Sequence, residues 1–453
     1  MSRMTLGPCA LLLSACFAPD QVTSATIEDE ATEGSADTTN PSSSTTTGAD
    51  TGQATDSSST GETSTSETTG TAGSMNSSGL LPTTSLDTDT DTDGPPPECG
   101  DGVASTGQYC YEPVGTIDNE EYVVCLGAGD ANGDGYGDVL FGQEGVAVVV
   151  SLGTENGQLG PPLTVTGLAP STCALRDFAG DGHMQLAGRA TGFGLWQVSE
   201  AQSIELAVTS FVGDGSAAFV VPADFNGDGV LDVLAGTRSS ESPHRVIPVI
   251  SSPSLDELDP SPGSSVGTAL DSLAAGDLNG DGLSDAIWVS SSRSGTAEIG
   301  AMLGTAEAIV PVSLDDIYES APGEAITDVA VAQVAGSTAA DIVFVEAGLL
   351  YVLAGDGALG FGSREQLPSS GAPTDISSAE LDGTPGAELL VVYDEVPELT
   401  MFGDSADGPT LVTVRLPYAG FMVDASDGNG DGADEILIAG AGDGPVMVLR
   451  SEI

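Results

Sequence analysis

The motif Asp-x-Asn-x-Asp-Gly-x-x-Asp begins at Asp130, Asp224 and Asp277, and a copy closing on Glu435 begins at Asp427. Three worn copies begin at Asp177, Gln333 and Glu380. The first positions are separated by 47, 47, 53, 56, 47 and 47 residues. A near-constant period of this size calls for supersecondary units that bury their apolar faces only against neighbours. Each copy lies between short apolar runs. In the first period these predict four strands, at Glu121–Leu126, Asp138–Phe141, Val146–Leu152 and Pro162–Thr166. Seven such units predict an all-β fold, a seven-bladed β-propeller of four-stranded antiparallel blades whose strand edges are hidden by radial closure.

The motif is also a cation loop. Oxygen side chains at positions 1, 3, 5 and 9 alternate inward, a backbone carbonyl at 7 adds a ligand, and the glycine at 6 takes the sharp turn. The ligand sets predicted for Ca²⁺ are Asp130, Asn132, Asp134, Tyr136 and Asp138 in loop 1, and Asp224, Asn226, Asp228, Val230 and Asp232 in loop 3. Loop 4 offers Asp277, Asn279, Asp281, Leu283 and Asp285, and loop 7 offers Asp427, Asn429, Asp431, Ala433 and Glu435. An EF-hand or dockerin would need flanking helices, and an EF-hand also a Glu at position 12, whereas these flanks are β-rich. Loop 5 keeps only Asp341 and is expected to be metal-free. Loop 2 keeps Asp177 and Asp181 but has Ala179 and Gln185. Loop 6 keeps Glu380, Asp382 and Glu388, but Thr384-Pro385 at positions 5 and 6 disfavours calcium.

Gly-Asp-x-Asn-Gly-Asp-Gly-x-x-Asp followed by an apolar strand and glycine resembles the FG-GAP (VCBS-type) repeat of integrin α-subunit propellers and related bacterial repeats. The turns at Leu152–Gly160 and Leu353–Gly360 resemble the same family. The resemblance covers residues 109–453 and implies the propeller fold with calcium on one face and partner binding on the other. One fold hosts many activities, so it does not name a ligand.

Residues 1–15 read as an export signal, with Arg3 before the apolar run Thr5–Leu13, which is too short to span a bilayer. Leu13-Ser14-Ala15-Cys16 resembles a bacterial lipobox, which implies a diacylated Cys16, and Phe17 in place of Asp favours the outer membrane. Residues 16–98 are dominated by Ser, Thr, Gly and Asp. Phe17–Glu98 carries 15 acidic residues and no Lys or Arg. Such a segment buries too little apolar area to offset ordering entropy and is expected to be a disordered tether with a span on the order of 50 Å.

Residues 99–110 resemble a Cys-Gly-Asp-Gly-x(4)-Gly-x-x-Cys collar, which implies a Cys99–Cys110 disulfide. With Cys9 in the signal and Cys16 lipidated, four cysteines remain, and four allow three pairings. Cys125 and Cys173 lie on the incoming strands of adjacent repeats and form the matching second bridge, in an oxidising compartment. Their register is open, because they stand five and four residues before their loops. Repeat 7 lacks a fourth strand, and Tyr109–Gly115 is expected to supply it and close the ring.

Net charge is −59, and residues 99–453 hold 53 acidic residues against eight Arg and no Lys. Nucleic acid is excluded as a partner, because its affinity depends on cationic contacts to phosphate. Only His183 and His244 are present, which excludes multi-histidine metal sites, and neither lies in a nucleophile motif. Trp196 and Trp288 read as core. The longest steps fall in repeats 3 and 4, where Thr237–Arg245 and Ser290–Thr296 are long hairpin segments. Long loops on a rigid scaffold carry binding residues, so Arg238, His244, Arg293 and Tyr318 are the candidate ligand group opposite the calcium loops. The expected function is a monomeric, calcium-stabilised, lipid-anchored cell-surface binding or adhesion propeller. Its partner is an extracellular protein or a glycan, and it meets the membrane only through its lipid. A lectin on the same fold is one alternative, and a lyase or phosphodiesterase using carboxylates is another.

Overall fold

A computed structural model describes residues 109 and 111–451, apart from residues 166–169, 190–192, 199–203, 211–215, 239–243, 252–257, 261–262, 293–294, 307–316, 337–338, 384–385, 404–409, 429–431 and 443. The signal, the lipobox, the tether and the Cys99–Cys110 collar lie outside the described residues.

Seven antiparallel sheets form the ring. Blade 1 is Val123–Gly129, Asp138–Gln143, Ala147–Ser151 and Leu163–Val165, paired in sequence order. Blades 2, 4, 5 and 6 repeat that order, with first strands Thr172–Arg176, Ala269–Gly276, Ile326–Ala332 and Pro373–Ala379. Blade 3 begins at Ser216–Ala223 and splits its outer edge: Leu258–Pro260 and Ser264–Val266 pair different stretches of His244–Ser251. Part of the extra length of repeat 3 is taken up in this way. The first strands pack on one another around the whole ring, including Gly420–Ser426 of blade 7 against Val123–Gly129 of blade 1, and so surround a central channel.

Closure runs through the chain ends. Tyr111–Ile117 is the outermost strand of blade 7 and pairs with Val446–Ser451, with Ile117 opposite Val446 and Tyr111 opposite Ser451. This strand begins two residues later than the sequence pattern placed it. The pairing gives the last blade its fourth strand and ties the two ends of the ring together in one sheet.

The chain folds this way because each second strand is a continuous apolar run bounded by a polar residue. Asp138–Gln143, Asp341–Glu346, Glu388–Tyr393 and Glu435–Gly440 are buried at every position. Continuous rather than alternating hydrophobicity marks a strand covered on both faces. The covering is the neighbouring blade, so the core is divided into seven layers, one at each seam. Leu140 and Val148 of blade 1 meet Leu175 and Leu186 of blade 2, and Leu437 and Val448 of blade 7 meet Leu126 and Phe141 of blade 1. Each fully buried Leu, Val or Phe contributes roughly 1.5–3 kcal/mol, and most of that gain exists only once the adjacent blade is in place. Trp196 is buried in the seam of blades 1 and 2, and Trp288 packs into that of blades 3 and 4, as the sequence predicted.

Candidate functional site

The seven motif loops join the first and second strands of their blades and share one face of the ring. Loops 1, 3 and 4 fold alike. In loop 1, Asp130 accepts the backbone N–H groups of Gly133 at 2.6 Å, Asp134 at 3.1 Å and Gly135 at 2.8 Å. Asn132 accepts from Asp134 N–H at 2.9 Å, and Asp134 from Tyr136 N–H at 3.0 Å. Asp277, Asn279 and Asp281 repeat this set in loop 4, and Asp224, Asn226 and Asp228 repeat in loop 3 all of it but the bond from the position-5 N–H to position 1. Gly135, Gly229 and Gly282 sit at φ of +83°, +82° and +85°, where a side chain is strained. The donor set of these loops, hard carboxylate and amide oxygens on a turn already shaped by its own amides, suits Ca²⁺. In loop 7, Gly432 N–H donates to Asp427 at 3.1 Å, while Asn429 and Asp431 lie outside the described residues.

Position 9 has a second job. Asp138 is fully buried and accepts Ala131 N–H at 3.0 Å and Gly153 N–H at 2.7 Å. Asp232 holds Phe225 and Ser251 in the same way, and Asp285 holds Leu278 and Gly304. Asp341 holds Val334, Ala335 and Gly355 although the rest of loop 5 has lost its ligands. Glu388 accepts from Leu381, and Glu435 from Gly428. The residue therefore staples its loop to the blade whether or not a cation is held. A carboxylate oxygen has more than one lone pair, so staple and ligand roles are compatible. Burial, with smaller contributions from neighbouring loop carboxylates, raises Asp138 and Asp285 to about 6 and Asp232 to about 7. A cation beside them would relieve that strain.

In loop 2 an amide stands in place of the position-9 carboxylate. Gln185 accepts Phe178 N–H through Oε1 at 2.6 Å and donates through Nε2 to the position-7 carbonyl of His183 at 2.6 Å. That carbonyl is the one a cation would take. Loop 6 gathers the three carboxylates that its sequence keeps. Glu380, Asp382 and Glu388 bring carboxylate oxygens within 4.8 Å of one another, the one such triple among the described residues. Burial first, then mutual repulsion, raises Glu380 to about 7 and Glu388 to about 8.

Neighbouring loops are joined. The position-8 N–H groups of Met184, Ser284 and Asp434 donate to the position-1 carbonyls of Asp130, Asp224 and Glu380 in the preceding loops at 2.9, 3.0 and 2.7 Å. Inside this ring of loops, the channel opens into a cavity of about 660 Å³ lined by Asp130, Asp177, Glu380, Asp427, Asp434 and Arg176. Arg176 leaves blade 2, passes blade 1 and binds Asp424 of blade 7 at 2.8 Å and the Ala425 carbonyl at 2.7 Å. Burial alone would lower its pKa, but the Asp424 charge holds it up.

The candidate ligand group on the opposite face is not drawn together among the described residues. Arg293 and the side chain of Arg238 lie outside them. His244 starts the third strand of blade 3 opposite Val266, with Nδ1 buried and without a hydrogen-bond partner. Tyr318 belongs to another cluster. Its hydroxyl donates to Glu346 at 3.0 Å and accepts from Arg364 at 2.7 Å, and Arg364 lies 4.5 Å from the Tyr351 ring. The outermost strand of blade 4 thus turns Tyr318 towards blade 5 rather than towards His244. Sequence reasoning singled out neither Arg364 nor Arg176. Each is an isolated cation in an acidic chain, which was the available signal.

No protein-family model matches the chain, and no curated protein does. Solved propellers do. BBS1N in complex with ARL6DN, in mercury-soaked and lead-soaked crystals, is similar at 12% identity with TM-scores of 0.51 and 0.52. The match covers 76% and 77% of this chain and 97% and 98% of those chains. A lectin of Agrocybe aegerita that recognises non-reducing terminal N-acetylglucosamine gives a TM-score of 0.45 at 14% identity, over 70% of this chain and 92% of that one. At these identities the likeness speaks to fold alone.

Proposed function

We propose that this chain is a non-catalytic binding propeller, stiffened by Ca²⁺ in loops 1, 3, 4 and 7 and displayed at a cell surface through a lipid on Cys16. Its partner is an extracellular protein or a glycan. One observation carries the reading: three loops adopt the same amide-braced turn, with oxygen side chains at positions 1, 3, 5 and 9. Such loops, stitched to one another around the ring, would make bound calcium a brace for the loop face as a whole. The binding role is supported by a large rigid scaffold with two broad faces, and BBS1N offers a propeller that holds a protein partner. Two histidines and no lysine narrow acid–base chemistry largely to carboxylates, which favours a binding role over catalysis.

The test is a solution screen of the purified chain, with calcium and with chelator, against arrayed surface proteins and glycans. Calcium-dependent, saturable binding of a defined partner supports the reading. Turnover of an arrayed glycan or phosphodiester in place of binding would overturn it.

A further inference from the structure

Six of the seven first strands carry a register shift near their start. Each shift leaves one residue out of the pairing and re-aims its side chain. In blades 1, 3, 4, 5 and 6 that residue is Val124, Ala218, Asp271, Thr327 and Thr374; in blade 7 it is Phe421. Phe421 is 38% exposed, and its ring meets that of Tyr122, 54% exposed, edge to face at 6.2 Å and 72°. Tyr122 stands just before the first strand of blade 1, and its carbonyl accepts Glu144 N–H at 2.8 Å. The two rings therefore straddle the seam between blades 7 and 1, on the face opposite the motif loops. Exposed Val146 extends the apolar surface, and exposed Glu120, Glu121 and Glu144 border it.

Charge decides what can cover this patch. The chain's own residues 17–98 carry 15 acidic residues and no cation, so they are repelled by it. A second copy brings 53 acidic residues against eight Arg in residues 99–453 and is repelled as well. An aromatic pair rimmed by carboxylates is complementary to a guanidinium or ammonium group, which takes the ring face and the rim charges together.

We propose that Tyr122 and Phe421, with Glu121 and Glu144, are the docking point for an Arg- or Lys-bearing segment of a partner protein. This rests on the reading of the ring as a binding module and narrows the partner's chemistry.

The test uses the full chain and fluorescence anisotropy at physiological salt. The probes are the peptide Gly-Ser-Arg-Gly-Arg-Ser-Gly, its citrulline counterpart and labelled cellotetraose. The arginine peptide is expected to bind about tenfold more tightly than the citrulline peptide, and Tyr122→Ala and Phe421→Ala each to weaken it by about tenfold. Glu121→Gln with Glu144→Gln is expected to weaken it too, while Glu365→Gln, an exposed carboxylate on blade 5, leaves it unchanged. Unaltered melting temperatures show that the variants fold. Undiminished peptide binding by both aromatic variants overturns the docking point and leaves the ring as a binder of basic segments elsewhere. Cellotetraose binding that the aromatic variants abolish, without preference for arginine over citrulline, makes the patch a sugar platform and overturns the proposal. Failure of the arginine peptide to bind overturns it as well, while the reading of the ring as a binding module is decided by its own partner screen.

Discussion

Asp328 of blade 5 accepts the backbone N–H of Ile376 of blade 6 at 3.1 Å, which fixes the stagger between adjacent blades. Asp328 stands five residues before its loop and Ile376 four before the next. Asp375 and Val423 N–H repeat the relationship between blades 6 and 7 at 2.8 Å. The bond between Cys125 and Cys173, with Cα atoms 5.4 Å apart, joins blades 1 and 2 at the same five-and-four offset. The mismatch that left the cysteine register open in the sequence is thus a property of the ring. Different chemistries occupy equivalent places: a disulfide at one seam, carboxylate–amide bonds at two others.

Replacing Cys125 and Cys173 together by Ser is expected to cost about 2–4 kcal/mol, because the crosslink closes a loop across two blades. The fold should survive, since the seam still buries Leu140, Leu175 and Leu186. Urea titration of the variant against the wild type measures the loss, and equal midpoints would show that the bond contributes nothing.

Asp328 and Asp375 also lie close enough for their charges to repel, which favours a proton held on the pair. Ser272 donates to Asp328 at 2.8 Å, Asp424 faces Asp375, and burial is the main reason both carboxyls are raised. Folded values above the unfolded one mean that the folded state holds the proton more tightly. The stabilisation is complete below the unfolded value near 4 and is lost as pH rises through the folded values. Asp375→Asn keeps an acceptor for Val423 and a donor for Asp328. It should raise the melting temperature at pH 8 by about 2–4 °C, with a smaller gain at pH 5. A variant whose melting temperature tracks the wild type at both pH values would rule out a shared proton.

Asp341→Ala should destabilise the chain by about 1–3 kcal/mol, because three amide donors around a fully buried carboxylate lose their acceptor. The loss should be the same in calcium and in chelator, since loop 5 lacks the other ligands. Thermal melts in both conditions check this. A loss seen only with calcium present would make Asp341 a metal ligand.

Chelation is expected to lower the melting temperature of the wild type. Each site contributes about 2.7 kcal/mol when free calcium is about 100-fold above its Kd. Asp134→Ala, Asp228→Ala, Asp281→Ala and Asp431→Ala should each remove one ion in calorimetry, while Ser337→Ala in loop 5 removes none. Ala179→Asn with Gln185→Asp should add one, by giving loop 2 a ligand where Gln185 now satisfies the His183 carbonyl. No calcium uptake by the wild type would end the metal assignment.

Cys16→Ala should move the protein from the membrane fraction to the soluble one without changing its melting temperature. Retention of the variant in membranes would show that another element holds it there.

The sequence by itself determined the number of blades, the loop face and the way the ring closes. These follow from spacing and from runs of apolar residues, which are local properties that survive unaltered into the fold. It also marked Cys125 and Cys173 as neighbours. What it left to the tertiary structure lies in contacts within the folded blades and between them. The position-9 staples are an example: Asp341 looked like the remnant of a metal site and is a clamp on three amides. The reach of Arg176 past blade 1 to Asp424 and the Asp328–Asp375 pair belong to the same class. The Tyr122–Phe421 pair brings together residues about 300 positions apart, on blades that adjoin only once the ring has closed. Contacts of this kind depend on blade stagger and bulges, which a repeat spacing does not encode. The calcium motif could be read as a string, whereas the channel and the aromatic patch exist only after seven separate sheets have packed face to face.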